Sequence, residues 1–259
     1  MLLLKQAATL MLWLSLLLQC CTPVFAQQNQ TDISFQHLPG GLSQSSANVI
    51  FEDSYGYLWI GTRNGLNKYD GKSFEIYEQA VDSTTGLTNG YIEDIYEDDD
   101  RQLYIGTVQG LNIYQREMDV LKPYPFFGEG KKIALEHFYS ITKSSDILWL
   151  GTTTSLFKYH TTTGDLKEFV YQEGTPNILK NNYFVKIAGL DNQNTLVFID
   201  NDIWLLDKEL QIVSKFHENQ RIRSVIQQNS TQFLIGLHNG ELLELKIQPD
   251  HALKVERKK

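Results

Sequence analysis

Beyond residue 40 the apolar positions of this chain come in short blocks separated by glycine, aspartate, asparagine and serine. The stretch YLWIGTRNGLNKYDG, Tyr57 to Gly71, shows the rhythm: an apolar block, a polar turn with Gly65, a second block, and a turn at Asp70-Gly71. That reads as strand, turn, strand, turn. The pattern returns as QLYIGTVQGLNIY from Gln102 and ILWLGTTTSLFKY from Ile147. The glycines after the aromatic–aliphatic pair are Gly61, Gly106 and Gly151, an interval of 45 residues kept twice. FLIGLHNGELLEL from Phe233 carries its glycine at Gly236, and TLVFIDNDIWLLD from Thr195 keeps the rhythm without a glycine. A fixed period of this size marks a repeat architecture.

Each repeat divides into four short strands, and four strands of about five residues with their turns use up the period. The starts fall near Ala47, Ile92, Phe138, Phe184 and Ile222, giving blade units of approximately 42–78, 87–125, 135–171, 179–216 and 219–256. No segment past the N-terminal region holds a 3.6-residue apolar period, so few helices are expected. A four-stranded antiparallel unit cannot bury both of its faces alone, and stacking such units around an axis solves that problem. The fold class is therefore all-β: a β-propeller of four-stranded antiparallel blades, about five present. Trp59, Tyr104 and Trp149 recur at one blade position, which assigns them to packing against the neighbouring blade before ligand stacking. The glycine after each is expected to let backbones approach or to relieve a twisted strand end. The links EDSYGY, EDDDRQ and KSSD read as tight turns. The acidic run Glu97 to Asp100 reads as a solvated hairpin tip ahead of a cation site, because it lacks the Asp-x-Asp-x-Asp-Gly pattern.

Charge and the N-terminus place the chain. The formal net charge is −8, and residues 1–26 carry only Lys5, so the remainder stands at −9. An acidic chain without a Lys/Arg cluster is a poor partner for a phosphate backbone, and no nucleic acid is expected to bind. MLLLKQAATLMLWLSLLLQCCTPVFA has one early positive charge, an apolar run and small residues at its end. It reads as a signal peptide (1–26) cut after Ala26, leaving 27–259 periplasmic or extracellular. Two rivals stay open: a retained membrane anchor, and lipidation at Cys20 or Cys21. Both cysteines lie in this segment, so the mature chain holds no disulfide. No second apolar run reaches the roughly 20 residues of a membrane span.

No catalytic or metal constellation emerges. The histidines at 37, 137, 160, 217, 238 and 251 lack metal-ligand spacing, and there is no G-x-S-x-G elbow, Walker loop or dinucleotide fingerprint. No catalytic residue, metal ligand or cofactor is assigned. Carboxylate pairs such as Glu93/Asp94 fit glycosidase work only if two carboxyls face each other across a sugar. Topology instead suggests a face. Turns between second and third strands share one end of a propeller with the inter-blade connections, and long loops on a rigid ring carry recognition. Arg63, Asn64, Gln109 and His238 belong to those turns, while Tyr91, Tyr139 and Tyr183 stand near the starts of innermost strands, at the channel mouth. Aromatic faces with amide and guanidinium donors suit a neutral sugar.

The segment FQHLPGGLSQSSANVIFEDSYGYLWIGTRNGLNKYDGKSFEIY, Phe35 to Tyr77, resembles the two-component-regulator propeller repeat of the periplasmic half of Bacteroidetes-type hybrid sensor kinases. Its markers are GLS at Gly41–Ser43, WIGT at Trp59–Thr62 and GLNKYDG at Gly65–Gly71. The second repeat keeps GLTNGYIEDIYED and YIGTVQGLNIY; the third keeps LWLGT but has Ser155 for the turn glycine; the last two depart further. The resemblance implies that the about five blades are part of a larger, seven-bladed ring, and that the ring is a sensor, often for oligosaccharides, followed in its relatives by a β-sandwich, a transmembrane helix, a histidine kinase and a DNA-binding tail. It implies an oligosaccharide or other small periplasmic ligand, with the receptor's C-terminal regions and a homodimer as partner arrangements. The chain is then a truncated piece of such a receptor and not itself an enzyme. The alternatives are a self-contained secreted five-bladed propeller, closed by Phe35–Leu38, that binds protein or glycan, and a propeller lyase or glycosidase.

Overall fold

The computed structural model describes residues 41–80, 85–153, 155–169, 184–190 and 194–258. The leader, the Phe35–Leu38 closing segment and Tyr183 lie outside them. The first blade is β1 (Ala47–Glu52), β2 (Leu58–Thr62), β3 (Leu66–Tyr69) and β4 (Phe74–Tyr77). The second is β5 (Ile92–Glu97), β6 (Leu103–Thr107), β7 (Gly110–Gln115) and β8 (Val120–Pro123). A 3-10 helix (Gly128–Ile133) leads into the third: β9 (Phe138–Ser144), β10 (Ile147–Thr152), β11 (Leu156–His160) and β12 (Leu166–Glu168). The fourth is β13 (Phe184–Gly189), β14 (Thr195–Ile199), β15 (Asp202–Leu206) and β16 (Ile212–His217). The fifth is β17 (Ile222–Asn229), β18 (Gln232–Leu237), β19 (Leu242–Ile247) and β20 (Leu253–Lys258).

Every blade is a four-stranded antiparallel meander in chain order. The first strands are innermost and adjoin in series: β1 with β5, β5 with β9, β9 with β13, β13 with β17. One core fills each gap. Trp59 and Leu66 meet Ile92, Ile95, Leu103 and Ile105. Tyr104 and Leu111 meet Phe138, Ile141, Leu148 and Leu150. Trp149 and Leu156 meet Ile187, Val197, Trp204 and Leu206. Phe198 and Leu205 meet Phe233, Ile235 and Leu245. Successive side chains of a strand point to opposite faces, so a second strand between two neighbours must be apolar on both. That is why β6, β10 and β14 are buried along their whole length and read as unbroken apolar runs rather than as alternation. The recurring aromatic is a packing residue, as its recurrence suggested.

The glycine after it has a more specific job than easing twist. A Cβ on Gly61 would sit 2.6 Å from both Ile92 Cγ2 and Val49 Cγ1; on Gly106 it would sit 2.8 Å from Ile141 Cδ1 and 2.9 Å from the Phe138 carbonyl oxygen. The glycine is the seat for the next blade's innermost strand.

The two end blades expose faces that interior blades bury. Ile50 is 61 % exposed, whereas the residues at its blade position, Ile95, Ile141 and Ile187, are at 3 %, 0 % and 0 %. Ile226 on the last blade is likewise 61 % exposed where Ala188 is at 3 %. Among the described residues no helix is long and apolar enough to cross a membrane.

Candidate functional site

The end of the molecule that carries the β2–β3 type turns and the inter-blade connections is here called the top. In the first blade Thr62 Oγ1 donates to the Gly65 carbonyl at 3.0 Å and accepts from the Asn64 amide at 3.0 Å, bracing the turn. Asn67 accepts the Ser43 amide at 2.7 Å and donates to Ser43 Oγ at 2.9 Å, and Ser43 Oγ also meets Thr62 Oγ1 at 2.9 Å. The second blade builds the same cap from Thr88, Thr107 and Asn112, except that Thr88 Oγ1 donates to Asn112 Oδ1 and Asn112 Nδ2 donates to the Gly86 carbonyl. The sequence markers GLS or GLT, WIGT and GLN are thus one hydrogen-bonded cap that ties the incoming chain onto the blade.

Each innermost strand carries a bulge near its top end, where the sequence expects the channel mouth. In β1 the register slips between Ala47 and Val49, in β5 between Ile92 and Asp94, in β9 opposite Gly151-Thr152, in β13 between Phe184 and Lys186, and in β17 between Ile222 and Ser224. One extra residue therefore stands at the same place in all five innermost strands: Asn48, Glu93, Tyr139, Val185 and Arg223. A bulge re-aims its side chain and is common at the rims of sheet assemblies. Glu93 Oε1 lies 3.0 Å from His137 Nε2, and the His137 ring stacks on Tyr139 at 4.0 Å between centroids. Two residues before Glu93, the Tyr91 ring lies under the Arg63 guanidinium at 5.4 Å. Guanidinium, phenol, carboxylate, imidazole and phenol thus follow one another around the mouth. On the last blade Arg223 Nε donates to His238 Nδ1 at 3.1 Å. Asn48 donates to the Ile92 carbonyl at 3.1 Å, spanning blades one and two.

The residues next to the bulges, Asp94 after Glu93 and Ser140 after Tyr139, tie neighbouring blades together. Asp94 accepts the Ile141 amide of the next blade at 2.7 Å, and Ser140 accepts the Ile187 amide at 2.9 Å. Burial pushes the Asp94 carboxyl up, against the opposing pull of the Lys186 charge and the Ile141 and Ile95 amides.

At the bottom, buried aspartates lock the β1–β2 type hairpins. Asp53 accepts the Tyr55 and Tyr57 amides, the Trp59 indole N–H at 2.9 Å, and Arg116 from the second blade at 2.9 Å. Burial raises its pKa, but these donors overcome that and hold the carboxyl below the usual range. Asp98, within the acidic run, accepts the Asp100 and Gln102 amides, the Tyr104 hydroxyl and Lys143 Nζ at 2.6 Å. Its cation is a lysine of the next blade.

Of the residues expected at the mouth, Arg63 and Tyr91 are in contact, and Tyr139 joins His137 and Glu93. Asn64 and Gln109 occupy matching exposed turns, each donating its amide to the cap threonine. His238 lies on the last blade beside Arg223. The sequence reading placed Glu93 only in a carboxylate pair with Asp94, and it did not place His137 or Asn48 at this end. The signal that was there is the interval: His137 and Glu93 stand 44 residues apart, nearly one blade.

Comparison with known proteins adds the following. The family model "Two component regulator propeller" matches residues 41–64 and 86–109. A curated relative, histidine kinase P4 of Formosa agariphila, is 50 % identical over 48 residues, which is 18 % of this chain and 4 % of that one. The solved extracellular domain of BT4673 from B. thetaiotaomicron, described as a one component and as a hybrid two component system, matches at a TM-score of 0.53 and 20 % identity. That match covers 78 % of this chain and 26 % of that one. The extracellular domain of the hybrid two component system BT3049 from the same organism matches at 0.50 and 16 % identity, over 87 % and 36 %. This chain thus spans a small part of each relative, and the solved structures speak for the fold. The matched residues include Ser43 and Thr62 of the first cap and Thr88 and Thr107 of the second, and over them the chain carries the two-component regulator propeller repeat.

Proposed function

We propose that this chain is the ligand-sensing part of a larger hybrid two-component receptor, held outside the cytoplasm, and that the channel mouth on its top face binds an oligosaccharide. The observation that carries this reading is the set of equivalent bulges, which bring Glu93 and Tyr139 to the mouth beside His137, Tyr91 and Arg63. Aromatic faces flanked by hydroxyl-binding charged groups suit a polyhydroxylated ring. The exposed Ile50 and Ile226 faces favour further blades completing a larger ring over a self-contained five-bladed one. Signalling then runs from the ligand through altered packing of the blades to the receptor's remaining parts.

The glycosidase reading loses its carboxylate pair, because Glu93 pairs with His137 while Asp94 is committed to the Ile141 amide. The test is a thermal-shift panel of neutral oligosaccharides. Ligand at a hundred times its Kd stabilises by about 2.7 kcal/mol, which in a domain of this size raises Tm by roughly 5–10 °C. A panel in which no glycan moves Tm counts against the proposal, and turnover of a glycan would replace it with an enzyme.

A further inference from the structure

Directional bonds tie the first four blades to one another at the bottom. In the first gap Arg116 reaches Asp53 at 2.9 Å, and in the second Lys143 reaches Asp98 at 2.6 Å. In the third, Lys158 Nζ donates to the Lys208 carbonyl at 2.8 Å and Lys167 pairs with Glu209 at 2.7 Å. Beside the bulges, Asp94 and Ser140 each accept an amide of the following blade.

The gap between the fourth and fifth blades departs at the equivalent positions. Leu190 stands where Asp53 and Asp98 stand, because its amide makes the same hairpin bond, to the Asn194 carbonyl as theirs go to Tyr57 and Gln102. Gln248 stands where Arg116 does: each carbonyl accepts the amide of a positive-φ residue three places on, His251 and Asp119. The clamp of the first gap has thus become a leucine and a neutral amide. Both line a cavity of about 460 Å³ at the bottom, between the two blades. Lys186 holds the register place of Asp94 and Ser140, and an ammonium has no lone pair to accept an amide. Phe198 fills the glycine seat, its ring 5.7 Å from that of Phe233.

What spans this gap is an apolar core, Phe198 and Leu205 against Phe233, Ile235 and Leu245. Apolar attraction is non-directional, and sliding of packed elements is one of the ways domains move. The top of the same gap is tied. Ile222 donates to the Asp200 carbonyl at 2.7 Å, Arg221 pairs with Asp200, and Arg257 meets the buried Glu218 carboxylate at 3.0 Å.

We propose that the gap between the fourth and fifth blades is the joint of this domain. The fifth blade swings as a unit on its tied top and parts from the fourth at the bottom, while blades one to four hold as one body, whatever ligand the top face takes.

Hydrogen exchange of the full chain, followed by mass spectrometry, tests this. The first and fifth blades are both end blades with an exposed outward face, shown by Ile50 and Ile226 at 61 % each, so fraying alone treats them alike. A joint makes them differ: amides of β18 and β19 should exchange about tenfold or more faster than those of β2 and β3. The double variant Leu190→Asp/Gln248→Arg sets a carboxylate and a guanidinium across the cavity, as Asp53 and Arg116 stand in the first gap. It should slow β18 and β19 by about fivefold relative to Leu190→Asp, which carries the same loss of the leucine. Equal exchange in the two end blades, or faster exchange in the first, overturns the joint. So does a double variant whose fifth blade exchanges as fast as that of Leu190→Asp.

Discussion

Trp59 and Trp149 occupy the same blade position and are both at 0 % exposure, yet their indole nitrogens have different fates. Trp59 Nε1 donates to the Asp53 carboxylate at 2.9 Å, whereas Trp149 Nε1 is buried without a hydrogen-bond partner among the described residues. The cause is in the hairpin: the link before Trp59 holds Asp53, whereas the shorter link before Trp149 turns through Ser145-Asp146 and offers no such carboxylate. Replacing either by phenylalanine removes the same ring atoms, so the cavity term, about 1–3 kcal/mol, is common to both. A lysine lies over each ring, Lys68 at 5.8 Å and Lys158 at 5.4 Å, so that contribution also cancels. What remains is polar. Trp59→Phe loses a hydrogen bond to a charged group, about 1.5–3 kcal/mol, while Trp149→Phe removes a buried unpaired donor that itself costs about 1–3 kcal/mol. Trp59→Phe should therefore destabilise by roughly 2.5–6 kcal/mol more than Trp149→Phe. Urea unfolding followed by circular dichroism, with m-values compared to confirm like transitions, measures the difference. Equal losses, or a larger loss at Trp149, would refute the reasoning.

Other outcomes follow from the same contacts. Arg116 joins Asp53 and Glu97, at 2.9 and 2.6 Å, with the Asp53 side chain wholly buried. Arg116→Met should cost about 3 kcal/mol, because it strands a buried carboxylate; a loss below about 1 kcal/mol in urea would show the clamp to be superficial. Gly61→Ala puts a methyl 2.6 Å from Ile92 Cγ2, and overpacking of this kind costs about 1–3 kcal/mol; unchanged Tm would contradict the seat. Burial works to raise the Asp119 pKa, but hydrogen bonds from Tyr114, Tyr77 and Lys68 bring it down to about 2. A depressed pKa gives stability that is complete above the unfolded value and is lost as pH falls through the folded one. Wild type should therefore lose stability between the ordinary carboxylate range and about pH 2 more steeply than Asp119→Asn, and parallel acid titrations would dismiss the link.

Much of the fold was legible because blade packing forces it into composition. A strand buried on both faces must be an apolar run, and the seat for the next blade is glycine in the first three blades, though Phe198 stands there in the fourth, so the period shows in Gly61, Gly106 and Gly151. The channel mouth was only half legible. A bulge is a backbone register event that leaves side-chain chemistry free, so Asn48, Glu93, Tyr139 and Arg223 share a position while sharing no residue type. His137 looked scattered because its partner lies on the neighbouring strand, 44 residues back. The acidic run at Glu97–Asp100 looked like a hairpin tip because the lysine that pairs with Asp98 comes from the next blade, 45 residues on.

The measurement that bears most directly on the account is calorimetric titration of the neutral oligosaccharide that gives the largest thermal shift into wild type, Tyr139→Ala and Glu93→Gln. Glu93→Gln keeps the side chain's shape and removes its charge, and Tyr139→Ala removes a ring that also packs against the core between blades three and four, so urea stability of both variants is measured alongside. The account predicts saturable binding to wild type and a loss of about tenfold or more in both variants, the scale set by a stacking face or a charged hydrogen bond. Binding to both variants at wild-type affinity would place the ligand elsewhere and contradict it.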